Sequence, residues 1–215
     1  MFLTRAQSAG RGTRGRSFES PEDAGLYMSL LLYPKIHSRD AFLLTCATAV
    51  AVCRAVEKLC PEVSPRIKWV NDVYVGDKKL CGILTEGECN DDGMLCYAII
   101  GIGINIKNAP HSQEVESIMT SLENEGADID VPRLAAEIIS EILALVDNRM
   151  LLLDEYRTRS LLIGREVEIS SAGTVNTERV IGIDDECALL TKGADNTTKR
   201  YISGDVKIHT KKEEK

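Results

Sequence analysis

Between positions 41 and 59 apolar residues run almost without interruption, and the only charges, Arg54, Glu57 and Lys58, stand at the far end. With Ser38 and Asp40 ahead as candidate N-caps and Cys60-Pro61 as a stop, this segment predicts a helix buried over most of its surface. Cys46, Cys53 and Cys60 recur every seven residues and so share one helical face, where cysteine packs as a small hydrophobe. The pattern then shortens to runs at 66–70, 74–75, 80–86 and 94–106, divided by turn chemistry at Gly76-Asp77 and at Asn90-Asp91-Asp92-Gly93. These runs predict antiparallel hairpins. From His111 to Asp130 there are Glu and Asp residues but no Lys or Arg, the pattern of a solvated loop with a short helix. Asp130 then offers a cap to a helix with Pro132 in its first turn and Leu134, Ile138, Ile142 and Leu145 on one stripe. After Gly164 short β-type runs follow at 166–170, 178–183, 188–191, 199–202 and 206–209, with polar turns between. The fold class predicted is therefore α+β: a mixed or antiparallel sheet with packed helices over 1–161, and a small β-barrel over 162–210. The last residues, 211–215 (KKEEK), read as a frayed tail.

Composition narrows the function classes. The 215 residues are 44% hydrophobic and 27% charged, ordinary for a globular chain with a real core. Lys and Arg number 26 against 33 Asp and Glu, a net charge of −7 that argues against nonspecific binding to nucleic acid or to anionic membranes. Any anion must then be held locally. The uncharged stretch 41–53 falls short of the roughly 20 residues of a membrane span, and the N-terminal apolar run ends at Leu3, without a secretory pattern. Seven cysteines form no Cys-x-x-Cys pair, and His37, His111 and His209 are far apart, which argues against structural zinc and for a reduced interior such as the cytoplasm.

Three segments carry candidate chemistry. In Gly10-Arg-Gly-Thr-Arg-Gly-Arg16 and its approach, Arg5, Arg11, Arg14 and Arg16 gather before the first acid, Glu19. The glycines satisfy G-x-G-x-x-G, but a dinucleotide fingerprint must open a helix, which Ser20-Pro21 disfavours. What stays open is a loop that wraps a phosphate and a carboxylate with amides and guanidiniums, or a disordered basic arm. Next comes Lys68-Trp69-Val70-Asn71-Asp72, followed by Lys78-Lys79 entering an apolar run, where polar groups stand beside a wall suited to an apolar ligand, or else at a solvated hairpin tip. The third is Gly101-Ile-Gly-Ile-Asn-Ile106, whose glycines admit a flat ligand and whose Asn105 both donates and accepts, as an adenine edge requires, or else a bulged core strand.

In this order the blocks AGRGTRGRSFESP, GLYMSLLL, KWVNDVYVGDKKLCGILTE and GIGINIKN resemble the catalytic domain of biotin protein ligases over roughly Gln7 to Asn108. Gly164-Arg-Glu-Val167 and Ile202-Ser-Gly-Asp-Val206 resemble their terminal SH3-like domain more weakly. The resemblance implies a two-step reaction: biotin and Mg-ATP give biotinyl-5′-AMP and pyrophosphate, then a lysine of a biotin carboxyl carrier domain takes the biotin. It implies that Lys79 bridges the biotin carboxylate and the α-phosphate, and that Gln7 meets the ureido end. Arg11 and the amides of Gly10, Gly12 and Thr13 would cover biotin, while Arg14 and Arg16 hold phosphates. Lys68 and Trp69 would flank the ligand, Gly82, Ile83 and Leu84 would form the backbone edge of the pocket, Gly103 would allow close approach, and Asn105 would meet adenine. Asp72 would orient or deprotonate the acceptor amine, with an Asx turn as its alternative. Mg²⁺ would be held largely by phosphate oxygens and water.

The chain departs from the family pattern in places. Thr13 stands where the loop usually has Arg, Val70 where it has Pro, and Phe18 where it has Trp. The Ser-Thr-Asn segment that binds the ureido group in the family is missing, which suggests a truncated product or a substitute segment. The DNA-binding helix-turn-helix of repressor-type members is also missing, so no role on DNA is expected; a homodimer is compatible with the resemblance. Rival readings are a lipoate or octanoyl ligase of the same fold, a non-catalytic biotin- or adenylate-binding paralogue, and an RNA-binding module, for which the few aromatic residues offer little stacking surface.

Overall fold

The described residues of a computed structural model, 1–171 and 173–208, form two antiparallel sheets, with helices packed on one face of the larger. The larger sheet contains β1 (Phe2–Thr4), β2 (Gly25–Leu32), β3 (Pro65–Lys68), β4 (Asp72–Val75), β5 (Lys78–Cys89) and β6 (Leu95–Asn105), in the order β1-β2-β6-β5-β4-β3. Alternation along β6 makes the layering visible. Ala98, Ile100, Ile102 and Ile104 are buried toward the helices, while Gly101 and Gly103 face the other way. Gly76-Asp77 and Asn90–Gly93 make the expected turns between β4, β5 and β6.

Helix α1 (Phe42–Leu59) lies against this apolar face and buries Leu44 through Cys53 together with Ala55 and Val56. Cys46, Cys53 and Cys60 are all buried, and burial pushes the Cys53 thiol up to about 12. The helix does not start as expected. Ser38 and Asp40 form a 3-10 turn (Ser38–Asp40) instead of capping it, and Ala41 precedes the first turn without a side-chain cap. The turn's own bonds, Ala41 N to Ser38 O and Leu44 N to Ala41 O, take the donors a cap would satisfy.

The acidic stretch holds the short α2 (Gln113–Ile118), but it is less solvated than its charges suggest. Thr120, Ser121 and Leu122 are buried because their backbone ties to Lys79 O and Asn105 O. Helix α3 (Val131–Val146) is capped by Asp130, whose carboxylate accepts from Arg133 N, and Leu134, Ile138, Ile142 and Leu145 are fully buried. A further helix that sequence reading did not single out, α4 (Arg149–Thr158), is capped by Asn148.

The second sheet holds β7 (Glu166–Ser171), β8 (Thr174–Ile183), β9 (Leu189–Lys192), β10 (Thr198–Tyr201) and β11 (Asp205–Ile208), ordered β10-β9-β8-β7-β11. Among the described residues no ladder joins β10 to β11, so the unit expected as a barrel is a five-stranded sheet with two edges. His209, expected to end the last strand, and the tail 211–215 lie outside the described residues. Hydrogen bonds join the two parts. The Trp69 indole N–H donates to Cys187 O (2.8 Å) and Arg157 Nε–H to Ile183 O (2.8 Å), while Tyr156 Oη–H donates to Val70 O (2.9 Å) within the first part.

Candidate functional site

Strand register builds the site. Tyr27 pairs with Gly103, Gly103 with Gly82, Gly82 with Asp72, and Asp72 with Lys68, so one row crosses five strands on the face away from the helices. Its middle is bare of side chains and its β3 end is charged. A Cβ on Gly103 would lie 2.5 Å from Phe18 Cε1, and one on Gly82 would lie 3.0 Å from Phe18 Cε2 and 3.1 Å from Lys79 Nζ. Phe18 therefore lies over the two glycines, and glycine is required there for close approach.

Lys79 reaches this face through an irregularity. Val73 pairs with Cys81 but Tyr74 with Lys79, so Leu80 is an extra residue of β5, and this bulge turns the Lys79 side chain toward Gly82. Its ammonium lies 2.7 Å from Asp72 Oδ1 and 5.9 Å from the Phe18 ring centre. Asp72 Oδ1 is buried, and the Lys79 ammonium is its charged partner.

At the charged end, Lys68 Nζ donates to Tyr74 Oη (3.3 Å) and stands 5.1 Å above the Tyr74 ring. Burial holds the Lys68 ammonium below its ordinary range, with the Lys79 and Arg16 charges acting in the same direction and Asp72 and Asp205 opposing them. Burial also pushes the Tyr74 hydroxyl up to about 12.

The arginine loop folds back on itself as a small hairpin. Gly12 N donates to Arg16 O and Phe18 N to Gly10 O, around a 3-10 turn (Thr13–Gly15) in which Arg14 is left-handed at φ 59°. No helix opens here, in keeping with rejection of the dinucleotide fingerprint. The loop is anchored by charge at both sides. Arg11 pairs with Glu86 (2.7 Å), while Arg14 (2.9 Å) and Arg16 both pair with Asp205 at the start of β11. Gln7 Oε1 accepts from Ser20 Oγ, and Glu19 is gripped by His111 and by the Ser112 hydroxyl and amide.

Of the residues singled out from the sequence, Lys79, Asp72, Arg14, Arg16, Lys68, Gly82 and Gly103 gather around one floor, with Gly10 to Thr13 above it. Leu84 pairs with Gly101 on the same face. Three others have different tasks. Trp69 is no ligand wall: it is buried at the junction of the two sheets, with its N–H on Cys187 O. Ile83 is no free backbone edge, because its side chain is in the core and both its N–H and C=O are taken by Asn71. Asn105 is nearly buried, and its amide nitrogen donates to Thr120 O (3.0 Å) and Lys79 O (3.5 Å). Sequence reasoning missed Tyr74, Asp205 and Glu86 as neighbours of the site, and took Phe18 only as an apolar replacement.

Among the described residues no group of three or more His, Cys, Asp or Glu side chains is arranged to hold a metal, and no helix is long and apolar enough to cross a membrane. A cleft of about 530 Å³ at Arg54, Arg66 and Arg159 lies elsewhere, and the Arg54 and Arg159 guanidiniums there are neutralised by Glu57, Glu141 and Glu155.

Comparison with known proteins bears on this arrangement. Residues 1–105 match the model of the biotin/lipoate A/B protein ligase family, and 162–208 match the biotin protein ligase C terminal domain. The biotin–[acetyl-CoA-carboxylase] ligase of Paracoccus denitrificans is 31% identical over 89% of this chain and 83% of its own length. The chain belongs to the biotin protein ligase family. The bifunctional ligase/repressor BirA of Bacillus subtilis is 34% identical over 94% of this chain, which spans 64% of that relative's length. A solved biotin protein ligase from Aquifex aeolicus, in complex with biotin and ATP, superposes with a TM-score of 0.80 over 96% of this chain and 87% of that one, at 25% identity. In this family member the first matched region carries the glycine floor and the arginine loop, and the second carries Asp205.

Proposed function

We propose that the protein joins biotin to a lysine of a biotin carboxyl carrier domain, with ATP as the second substrate and biotinyl-5′-AMP as the intermediate. The observation that carries this reading is the Lys79 ammonium poised at the Gly82–Gly103 floor, beside Asp72 and facing the Phe18 ring that ends the arginine loop. In the first step a biotin carboxylate oxygen attacks the α-phosphorus and pyrophosphate leaves. Two anions must meet, so positioned cations and exclusion of water do most of the work. Lys79 serves both anions, Arg14 and Arg16 serve the phosphates once exchanged from Asp205, and Arg11 with the amides of Gly10 and Thr13 closes over biotin, the Gly12 amide being held by Arg16 O within the loop. Gln7, beside Ser20, faces the ureido end, and Lys68 adds charge at the β3 end of the row. Mg²⁺ accompanying ATP would be bound mainly by phosphate oxygens and water and would supply charge neutralisation there.

In the second step the acceptor lysine nitrogen attacks the biotinyl carbonyl carbon and AMP leaves. On the order of one in two thousand such amines is neutral at pH 7, given an ordinary pKa of about 10.4. Asp72, paired with Lys79 in the cross-strand row, orients the incoming amine.

The test is mass spectrometry of a carrier domain incubated with the protein, biotin and Mg-ATP, beside a Lys79→Ala variant. The expected result is one biotin mass increment on one carrier lysine, slowed at least about 10²–10³-fold in the variant, the loss typical when one preorganised electrostatic group is removed. No increment and no biotinyl-5′-AMP from the unaltered protein would overturn the proposal.

A further inference from the structure

We propose that Lys68 accepts the proton that the acceptor amine sheds during transfer, and that Tyr74 is the positioning residue that holds Lys68 for this task. The inference rests on the ligase reading and assigns its missing base.

The geometry distinguishes Lys68 from the other cations near the row. Arg14 and Arg16 pair with Asp205, and Lys79 lies against Asp72, whereas the hydrogen-bond partner of Lys68 is a neutral phenol. A carboxylate partner would lock an ammonium in its charged form. A hydroxyl accepts from an ammonium and donates to an amine, so the Tyr74 contact survives either protonation state. The groups facing Lys68 are Asp72 and Tyr74 from β4, Lys79 from β5, Arg16 from the loop and Asp205 from β11, and their balance together with burial favours the neutral amine more than water does. Asp72 is poorly suited to the same task. A carboxylate is a weak base, and this one already contacts the Lys79 ammonium.

The acceptor nitrogen forms a bond to the biotinyl carbonyl carbon, and the carbon–oxygen bond to the phosphate breaks with its electron pair leaving on AMP. The proton on the positively charged nitrogen of the adduct passes to Lys68 Nζ and then to water. Lys68 sits in the cross-strand row next to Asp72, so the group that orients the amine and the group that takes its proton are neighbours.

The experiment supplies biotinyl-5′-AMP and a carrier domain directly to the full chain and follows single-turnover transfer at saturating adenylate from pH 6 to pH 10. For the unaltered protein the rate is expected to rise with pH through an inflection and then level off. Lys68→Arg keeps the charge and reach but cannot release its proton, and transfer is expected to fall about 10²-fold, the lower end of what a positioned proton acceptor contributes, with loss of the inflection. Tyr74→Phe is expected to move the inflection to lower pH, because the ammonium loses its acceptor while the ring remains. Lys68→Gln, with an unfolding midpoint matched to the unaltered protein, guards against a packing artefact specific to Arg. Transfer by Lys68→Arg at the normal rate with an unchanged pH profile would overturn the inference and leave the ligase reading standing. No transfer by the unaltered protein would remove both.

Discussion

Adding a single methyl group at two neighbouring glycines should separate the site from the scaffold. Gly101 and Gly103 lie on the same strand and the same face, two residues apart. A Cβ on Gly103 would come within 2.5 and 2.6 Å of Phe18 Cε1 and Cζ. Ordinary carbon contacts lie near 3.5–4.0 Å, so about 1 Å must be found. The β6 backbone is paired on both sides, by β2 and β5, and cannot supply it. Phe18 is only partly buried and ends the arginine loop, so the ring and the loop must give way. Overpacking of this kind typically costs about 1–3 kcal/mol. If the loop closes over the ligand, that cost appears in binding: biotin and biotinyl-5′-AMP should bind Gly103→Ala about 5- to 150-fold more weakly. A Cβ on Gly101 meets only Leu84 O at 3.5 Å and Leu84 Cβ at 3.9 Å, which is ordinary contact. Gly101→Ala should therefore bind normally and unfold at equal or slightly higher urea concentration, because alanine restricts the unfolded chain. Isothermal titration calorimetry with urea denaturation reads both quantities. Normal ligand binding by Gly103→Ala, or equal losses in both variants, would refute the placement of the ligand on this floor.

Three further outcomes are expected. Thr13 supplies no guanidinium to the loop, so Thr13→Arg should slow release of biotinyl-5′-AMP by about 10- to 100-fold, the value of one charge-assisted hydrogen bond, and release no slower than in the unaltered protein would contradict this. Trp69→Phe leaves Cys187 O without its donor and shortens a buried side chain, so it should cost about 2–4 kcal/mol in urea unfolding; a loss under about 0.5 kcal/mol would mean the two sheets are held without it. The Ser112 hydroxyl and amide, with a smaller contribution from His111, hold the Glu19 carboxyl below its ordinary range against desolvation. The unfolded chain then takes up that proton first, so this stabilisation is complete above the unfolded value of about 4.3 and is lost as pH falls through the lower folded value. Glu19→Gln should flatten that acid-side slope in urea unfolding between pH 3 and 6, and an unchanged slope would show that the clamp contributes nothing.

Local patterns in the sequence carried much of the architecture. The apolar run of α1, the stripe of α3 and the Gly and Asn-Asp turns of the β4–β5–β6 hairpins are each decided within a few residues, and all stand in the structure. Strand β2 was visible only as a resembling block, and α4 escaped notice because RMLLLDEYRT mixes apolar and charged positions without a clean stripe. What the sequence could not resolve at the site has one cause. Trp69, Ile83 and Asn105 sit in motifs rich in candidate chemistry, but whether each faces a ligand depends on partners more than ten residues away: Cys187, Asn71 and Thr120. Asp205 was missed for the same reason, since its local sequence does not mark the Arg16 that contacts it, whereas Tyr74 lies only six residues from Lys68 and was read as a strand residue alone.

Register also explains why core and site are inseparable. In β6 the period of two that buries Ile100, Ile102 and Ile104 beneath α1 places Gly101 and Gly103 on the opposite face. A one-residue slip would bring isoleucines over the floor and put glycines in the core, so burial of those three side chains, worth about 1.5–3 kcal/mol each, holds the floor bare. Strict alternation has a drawback, because Lys79 would share the face of Cys81 and Ile83 and point into the core. The extra residue Leu80 breaks the period at one place, stays fully buried itself, and lets Lys79 reach Asp72 and the glycine floor. The charge that the proposed chemistry needs is thus delivered by the one departure from the pattern that makes β5 a core strand.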